Sequence, residues 1–331
     1  MSLIRDAWKA GVRVLPKMSS QARAVRLKVS YPMKLADIRR RNKAVAGGGW
    51  PDAYASVNGM VSDGYVSEPD FYIHVEPFLN HPGRASLYSD KNMYDRLALP
   101  NLPVTLARIM KGRIIGPDYR PLAAIAGVSE ALFKPSTESG GGVGVEFVRD
   151  VDHRAHELAR GSSDWIIQKP IIQAAEMSRL NHSSVNTIRV MTLRTTRGVV
   201  VVSSVVRIGR LGQRVDNQRA GGVAVGINEG RLRRCAFDKY FNSYVSHPDN
   251  DFAFEGYELP MTRDAELLCS STHETIPNLD LLSWDIAIDE NYRLVLIEVN
   301  VSPQEINFHQ LCNGPVFKDL LSVHNGKVDI V

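Results

Sequence analysis

The sequence predicts an α+β protein made of two sheets flanked by helices, with a basic helical segment at its N-terminus. Three observations carry this expectation. Short apolar runs bounded by glycine and proline recur from Ala131 onward and read as strands. Two pairs of longer runs, rich in valine, are joined by tight turns at Thr196-Arg197-Gly198 and Asn228-Glu229-Gly230, as in antiparallel hairpins. Stretches with helical apolar spacing lie between and after these strands, and 331 residues at 44% hydrophobic content are enough for a substantial core.

From the N-terminus, Leu3 to Leu15 sets Leu3, Ala7, Trp8, Val12 and Leu15 near one helical face, and Pro16 ends the pattern. Residues 1–43 hold twelve Lys or Arg against Asp6 and Asp37. The preferred reading is a helix packed on the main body; the minority one is peripheral contact with an anionic membrane. Arg39, Arg40, Arg41 and Lys43 before Gly47 read as a helix end. Phe71 to Val75 is expected as a strand, and Ser89 or Asp90 is expected to cap a helix from Lys91 to about Leu99. Ala131 to Phe133 and Val143 to Val148 are strands around a glycine-rich turn. Such a strand, turn and strand is neither a P-loop nor a dinucleotide fingerprint. A helix from Asp152 to Arg160 follows, then a strand from Trp165 to Gln168, stopped by Pro170. The hairpin strands are Asn186 to Arg194 with Gly198 to Ile208, and Val223 to Ile227 with Arg231 to Phe237. Asp238 to Pro260 reads as a long ordered loop and Arg263 to Thr275 as a helix. Two strands around Asp285 and Leu294 to Val299 come next, and helices at Gln304 to Leu311 and Val316 to His324 close the chain.

Composition narrows the function classes. A net charge of +4, from 40 basic and 36 acidic residues, is too mild to argue for nucleic acid. Cys235, Cys269 and Cys312 have no paired spacing, so a reduced, cytoplasmic protein without a disulfide frame or zinc site is expected. No apolar run approaches the roughly 20 residues of a membrane helix. There is no G-x-S-x-G, and His273-Glu274 lacks the second histidine of a zinc helix.

The residues that point to chemistry are charged groups placed among apolar ones. Glu298 and Asn300 are two apart on one strand, so their side chains point the same way. With Asp285 delivered across a hairpin they make three hard oxygen ligands suited to magnesium; read alone, such an arrangement is more often a set of solvated strand-end polars. Gly140, Gly141, Gly142 and Gly144 leave backbone amides open to an anion, though a glycine cluster is commonly just a loop. Lys134, on the strand feeding that turn, and Lys91, at a helix start where a cation opposes the dipole, are candidate phosphate partners. Gln168-Lys169-Pro170 lies where the chain crosses between sheets, a hinge in which adenine would read backbone groups at Lys169 and Ile171. Arg189 sits inside the apolar strand Asn186 to Arg194; it is either salt-bridged to a core carboxylate or bound to an anion. Arg207, Asp216, Asn217, Gly221 and Gly222 surround a polar loop that is either a binding lid or a solvated turn. His247, in a loop before Pro248, is a minor catalytic candidate.

Taken in order, SDKNMYDRL, LFKPSTESGGGVGVEFV, IIQKPI, NTIRVMTL and WDIAID…LVLIEVNVSP resemble the motifs of the ATP-grasp superfamily. NTIRVMTL, the spacing from Arg207 through Asp216-Asn217 to Gly221-Gly222, SHPD at Ser246 to Asp249, and LIEVN followed by Gln310 and Gly314 are most similar to its sugar-transfer-associated group. The resemblance covers about residues 88–320. It implies two α/β lobes clamping a nucleotide: a small helical, basic region at 1–87, a lobe with the glycine flap at 88–167, and a lobe with the metal site at 168–331. It further implies ATP and Mg2+ as cofactors, with Lys91, Lys134 and Gly140 to Gly142 on phosphates, Gln168, Lys169 and Ile171 at the adenine, and Glu176 as the nearest ribose acid. Asp285, Glu298 and Asn300 would bind magnesium, and Arg189, with Arg207 and Asn217, would serve catalysis. The implied reaction joins a carboxylate to an amine through an acyl phosphate, the carboxylate being a sugar uronate or another small-molecule or glycan acid in surface-polysaccharide or capsule synthesis. A phosphotransferase and a nucleotide-binding or peptide-tailoring scaffold are the alternatives. Two departures stand out: Gln168 replaces an acid common at the hinge, and Gln304 follows Pro303 where glycine is common. The implied location is the cytoplasm, or the inner face of the membrane if residues 1–43 dock there.

Overall fold

The computed structural model describes residues 35–137, 144–216, 221–324 and 327–330. The N-terminal helix expected at Leu3 to Leu15, Gly140 to Gly142 and Asn217 lie outside the described residues.

Two antiparallel sheets divide the strands. The smaller has the order β2-β1-β5-β3-β4, from β1 (Thr105–Met110), β2 (Arg113–Ile115), β3 (Ala131–Pro135), β4 (Glu146–Val148) and β5 (Trp165–Gln168). The larger has the order β10-β9-β8-β7-β6-β11-β12, from β6 (Thr187–Thr195), β7 (Gly198–Ile208), β8 (Val223–Asn228), β9 (Arg231–Phe237), β10 (Ser243–Tyr244), β11 (Leu281–Ile288) and β12 (Leu294–Asn300). A hairpin of β13 (Leu321–His324) and β14 (Lys327–Ile330) follows. The helices are α1 (Leu35–Arg41), α2 (Trp50–Asn58), α3 (Glu68–Asp70), α4 (Glu76–Leu79), α5 (Pro82–Tyr88), α6 (Val151–Ala159), α7 (Ala175–Leu180), α8 (Thr262–Glu274) and α9 (Ile306–Asn313). Among the described residues no helix is long and apolar enough to cross a membrane.

The central strands are buried on both faces, and the alternation of their side chains decides what each face carries. One face of the large sheet presents Ile188, Val190, Val206, Ile208, Trp284 and Ile286 to α7 and α8 in the largest core. The opposite face presents Val205 and Ala224 to α2 and α9, where Phe308, Leu311 and Cys312 pack. The polar residues of interest share this second face. The small sheet buries Ala107, Ile109, Phe133 and Ile167 against Val151 and Ala155 of α6.

Three local expectations are corrected, and one element is unexpected. Phe71–Val75 is a π-helical turn, not a strand. Its buried residues are Phe71, Tyr72 and Val75, a helical spacing rather than alternation, packed with Phe317. The helix expected from Lys91 to Leu99 is one 3-10 turn, Lys91–Met93, capped by the Asp90 side chain. The chain then turns until Ala98 takes the left-handed conformation at φ 53°, which ends any helical run. Val316 to His324 is turn followed by β13, not helix. The hairpin β1–β2 is absent from the sequence-based expectation because Arg108 interrupts its apolar run, yet Arg108 is buried against Tyr119 and Asp95.

Candidate active site

Asp285 is the centre of the polar face. Cross-strand pairing sets it opposite Arg189 of β6 on one side and Glu298 of β12 on the other. Directly opposed residues share a face, so register alone brings the three together. A shift in the β11–β12 pairing after Asp285 adds twist at this point. Arg189 donates from Nε to Asp285 Oδ1 and from Nη2 to Oδ2, both at 2.6 Å. Arg207 Nη1 donates to Oδ2 at 3.2 Å and Asn300 Nδ2 to the same oxygen at 3.3 Å. Asp285 is 3% exposed. Burial pushes its carboxyl up, but the guanidinium groups of Arg189 and Arg207 outweigh that and hold it at about 2. Arg189 also reaches Glu305 Oε2 at 3.3 Å. Of the two readings of Arg189 in the sequence, the structure shows the pairing with a core carboxylate, and the same side chain also faces a second, half-buried one.

Lys91 Nζ meets Glu298 Oε1 at 2.8 Å, so the residue preceding the small sheet touches the last strand of the large one. Lys134, on β3, is 7% exposed. Burial and the neighbouring Lys91 charge lower its amine to about 8, partly opposed by Glu298, Asp216 and Asp285. Arg207 is a buried strand residue rather than part of a polar loop, and it lies 3.6 Å from Asp216. Asp216 accepts a short hydrogen bond from the Thr187 hydroxyl, and burial raises its carboxyl despite Arg207. Four cations and four carboxylates therefore gather at one end of the second face.

Magnesium fits this donor set in chemistry. Among the described residues no group of three carboxylate, imidazole or thiolate ligands forms, so a site here is two carboxylates and one amide. Glu298 is partly open to solvent, at 28% side-chain exposure. Asp285 already accepts four hydrogen bonds, three from Arg189 and Arg207 and one from Asn300, about the capacity of a carboxylate, so it would hold an ion only by releasing one of them.

The residues expected to form the hinge follow β5 directly, with one amide committed. Gln168 ends β5, opposite Thr105 and Leu132. The Lys169 N–H already donates to Val104 O at 2.9 Å, so only its carbonyl is left for a base. Glu176 is not joined to the charged cluster: both of its carboxylate oxygens accept from Tyr292 Oη, at 2.9 and 3.0 Å. His247 is buried with Nε2 at 2.9 Å from Gly209 O and Nδ1 accepting from the Asp249 N–H, a brace between loops. Gln304 is wholly buried. It accepts from Ser283 Oγ at 2.5 Å and donates to Leu281 O at 2.9 Å, so its departure from glycine serves the fold rather than an acceptor loop.

Sequence reasoning missed His309, which follows Phe308 on α9 and is wholly buried. Burial and the charge of Arg189 hold its imidazole down at about 3. The signal available was a lone histidine inside an apolar helix, which is most often a core residue.

Comparison with known proteins follows from the fold. The family model for sugar-transfer associated ATP-grasp proteins matches residues 71–325. No curated protein matches the sequence. Among solved structures the chain is similar to the biotin carboxylase domain of 2-oxoglutarate carboxylase from Hydrogenobacter thermophilus, solved with MgADP, ADP and bicarbonate, at 14% identity and TM-score 0.38, covering 70% of this chain and 45% of that one. It is similar to the ATP-grasp ligase PsnB complexed with minimal precursor at 13% identity and TM-score 0.39, covering 72% and 60%. For the D-alanine-D-alanine ligase from Coxiella burnetii the figures are 11%, 0.36, 65% and 48%. The chain spans about half the length of these proteins, at 45%, 60% and 48%. At such TM-scores the likeness carries no argument.

Proposed function

The chain belongs to the sugar-transfer associated ATP-grasp family, and from that premise we propose that it is an ATP-dependent ligase joining a carboxylate to an amine. The single observation that supports the reading is the union of Lys91 and Lys134, from the side of the small sheet, with Arg189, Arg207, Asp285, Glu298 and Asn300 on one face of the large sheet. ATP with Mg2+ is the cofactor pair. Magnesium, when bound, neutralises phosphate charge and polarises the γ-phosphoryl group, and Asp285, Glu298 and Asn300 would hold it.

The protein's own groups then have separate tasks. Lys134 and Lys91 offset phosphate charge, and their burial strengthens that attraction relative to water. Arg189 and Arg207 orient the carboxylate substrate so that its oxygen attacks the γ-phosphorus and ADP leaves. They also stabilise the oxyanion formed when the amine nitrogen attacks the acyl carbon, after which inorganic phosphate departs and the nitrogen gives up a proton. Gly140, Gly141 and Gly142 would close over the phosphates, Gln168, Lys169 and Ile171 would border the adenine, and Asn217 would join the two arginines. Glu176 as ribose acid requires that it leave Tyr292. The lobes of this reading divide near residues 88 and 168.

For substrate, the reading is a sugar uronate and an amino acid or other amine, in surface-polysaccharide synthesis. For location it is the cytoplasm, with the cationic residues 1–43 as the part that meets an anionic membrane; sedimentation with anionic and neutral liposomes tests that arm. The decisive experiment incubates purified protein with Mg-ATP, D-glucuronate and hydroxylamine. A hydroxamate with matching ADP release supports an acyl phosphate. ADP release without hydroxamate points to phosphotransfer to a hydroxyl, and no ADP release across a panel of uronates and amines removes the reading.

A further inference from the structure

His309 is used by nothing described so far, yet its surroundings fix what it can do. Ser203, Val205 and Arg207 alternate along β7 and so share one face, and Arg189 pairs with Val205 on it. His309 lies against that face: its Nδ1 is 2.8 Å from Ser203 Oγ. The proton on the ring can be placed from the chain of donors behind it. Arg233 Nε, which only donates, points at Asn313 Oδ1 at 3.0 Å and so sets the orientation of that amide. Asn313 Nδ2 consequently donates to Ser203 Oγ at 2.8 Å and to Ser204 O at 3.0 Å. The Ser203 hydroxyl then donates to His309 Nδ1, since the reverse direction would leave its hydrogen without an acceptor. The ring proton is therefore on Nε2, which is buried and has no hydrogen-bond partner among the described residues.

A buried N–H without an acceptor costs roughly 1–3 kcal/mol and calls for an explanation. Arg207 Nε on the same face is a second such donor. Among the acceptors already present, Asp285 is taken by Arg189, Arg207 and Asn300, Glu305 is engaged by Arg189, and Asp216 by Arg207 and Thr187. Two donors of this face thus go unmet, and the charges of Arg189, Asp285 and Arg207 all reach the His309 ring. An imidazole that stays neutral in this field offers an N–H without adding a third positive charge. What completes the set is an anionic oxygen from outside the chain.

Resting on the ligase reading above, we propose that His309 Nε2–H is a substrate-binding donor that takes one oxygen of the carboxylate substrate beside Arg189 and Arg207. Its task is to align the acid, and Ser203 and Asn313 are the positioning residues that hold the tautomer.

The experiment uses the full chain labelled with 15N-histidine, with the His309 resonances assigned by their loss in His309→Gln. At neutral pH the proton is expected on Nε2. Titration with D-glucuronate, with and without Mg-ADP, is expected to move the Nε2 resonance, whereas Mg-ADP alone leaves it in place. His309→Phe should weaken glucuronate binding by roughly tenfold or more, the equivalent of one lost hydrogen bond to a charged group, while His309→Gln, which keeps an N–H, retains most of it. A proton on Nδ1, or an Nε2 signal that glucuronate does not move, overturns the proposal and leaves a buried water as the partner. Calorimetry with Mg-ADP is the separate check on the reading beneath it: failure to bind nucleotide removes the ligase, while the tautomer and the glucuronate response still decide the role of His309.

Discussion

At the scale of single residues, the site pairs groups of the same charge in unequal surroundings. Asp285 and Glu298 face each other across β11 and β12, but Asp285 is buried between two arginines and Glu298 reaches solvent. Asp285→Asn leaves Arg189 and Arg207 without their shared charge in a buried site, and breaking such a set costs about 3–5 kcal/mol. Glu298→Gln keeps an oxygen for Lys91 and should cost about 1 kcal/mol or less. Both substitutions are expected to abolish ATP turnover, so denaturant titration beside an ADP-release assay separates a charge that holds the fold from one that serves the reaction. Lys134 gives a pH-dependent case. With its amine lowered to about 8, the folded state holds fewer protons than the unfolded chain between about pH 8 and the usual lysine value, so its burial penalises stability below pH 8 and the penalty is relieved as pH rises through that window. Phosphate favours the charged form, so nucleotide binding near pH 8.5 (about) should take up a proton. Calorimetry in buffers of different ionisation heat reads that uptake, and Lys134→Arg, always charged, should show none.

At the scale of elements, the N-terminal helices are what keep β11 and the segment after β12 in place. Asn80, wholly buried, donates to Leu281 O at 2.5 Å and Val301 O at 2.8 Å, and accepts from the N–H groups of Asp280 and Leu281. Asn80→Ala removes four hydrogen bonds, although Leu281 O keeps Gln304 Nε2 and the Asp280 N–H keeps Leu79 O, and a loss of about 1–3 kcal/mol is expected in thermal or denaturant unfolding. Glu76 of α4 accepts from Gln304 N at 2.6 Å and Ser302 Oγ at 2.9 Å, and burial raises its carboxyl to about 8. A carboxyl raised in the fold binds more protons there than in the unfolded chain, so it removes stability as pH climbs from about 4.5 to 8. Glu76→Gln should flatten that part of the stability profile. None of this was readable beforehand, because Asn80 and Glu76 are some 200 positions from their partners and nothing local marks a brace. What was readable is what obeys local periodicity: Glu298 and Asn300 two apart, Arg189 in an apolar strand, the hairpin turns at Gly198 and Gly230. The 3-10 turn at Lys91 and the π-helical turn at Phe71 escaped because their shape follows the surface they pack on.

At the scale of the molecule, two ion pairs link the small-sheet side of the chain to the large sheet. Lys91 joins Glu298, and outside the site Arg214 bridges from the loop after β7 to Glu130, at 3.0 and 3.1 Å, with its guanidinium 3.4 Å from the centre of the Phe147 ring on β4. Arg214 is half exposed, and an exposed ion pair contributes about 0–1 kcal/mol, with cation–π contact adding a similar amount. A link of that size cannot determine whether the protein folds, but it is large enough to shift how often two lobes stand open, since 1.4 kcal/mol is about a factor of ten in population. Arg214→Ala should therefore leave the unfolding midpoint nearly unchanged while hydrogen exchange at β3 and β4 speeds up. The Kd for Mg-ADP should rise by roughly threefold to tenfold as binding takes on the cost of closing. Salt should act on the wild type in the same direction, because the pair with Glu130 is screened over about 8–10 Å at ordinary ionic strength, and should act weakly on the variant. Equal salt sensitivity in the two proteins, or a Kd that does not move, would mean that the lobes are held by the charged cluster itself, and closure would then be driven by the nucleotide between Lys134 and Asp285.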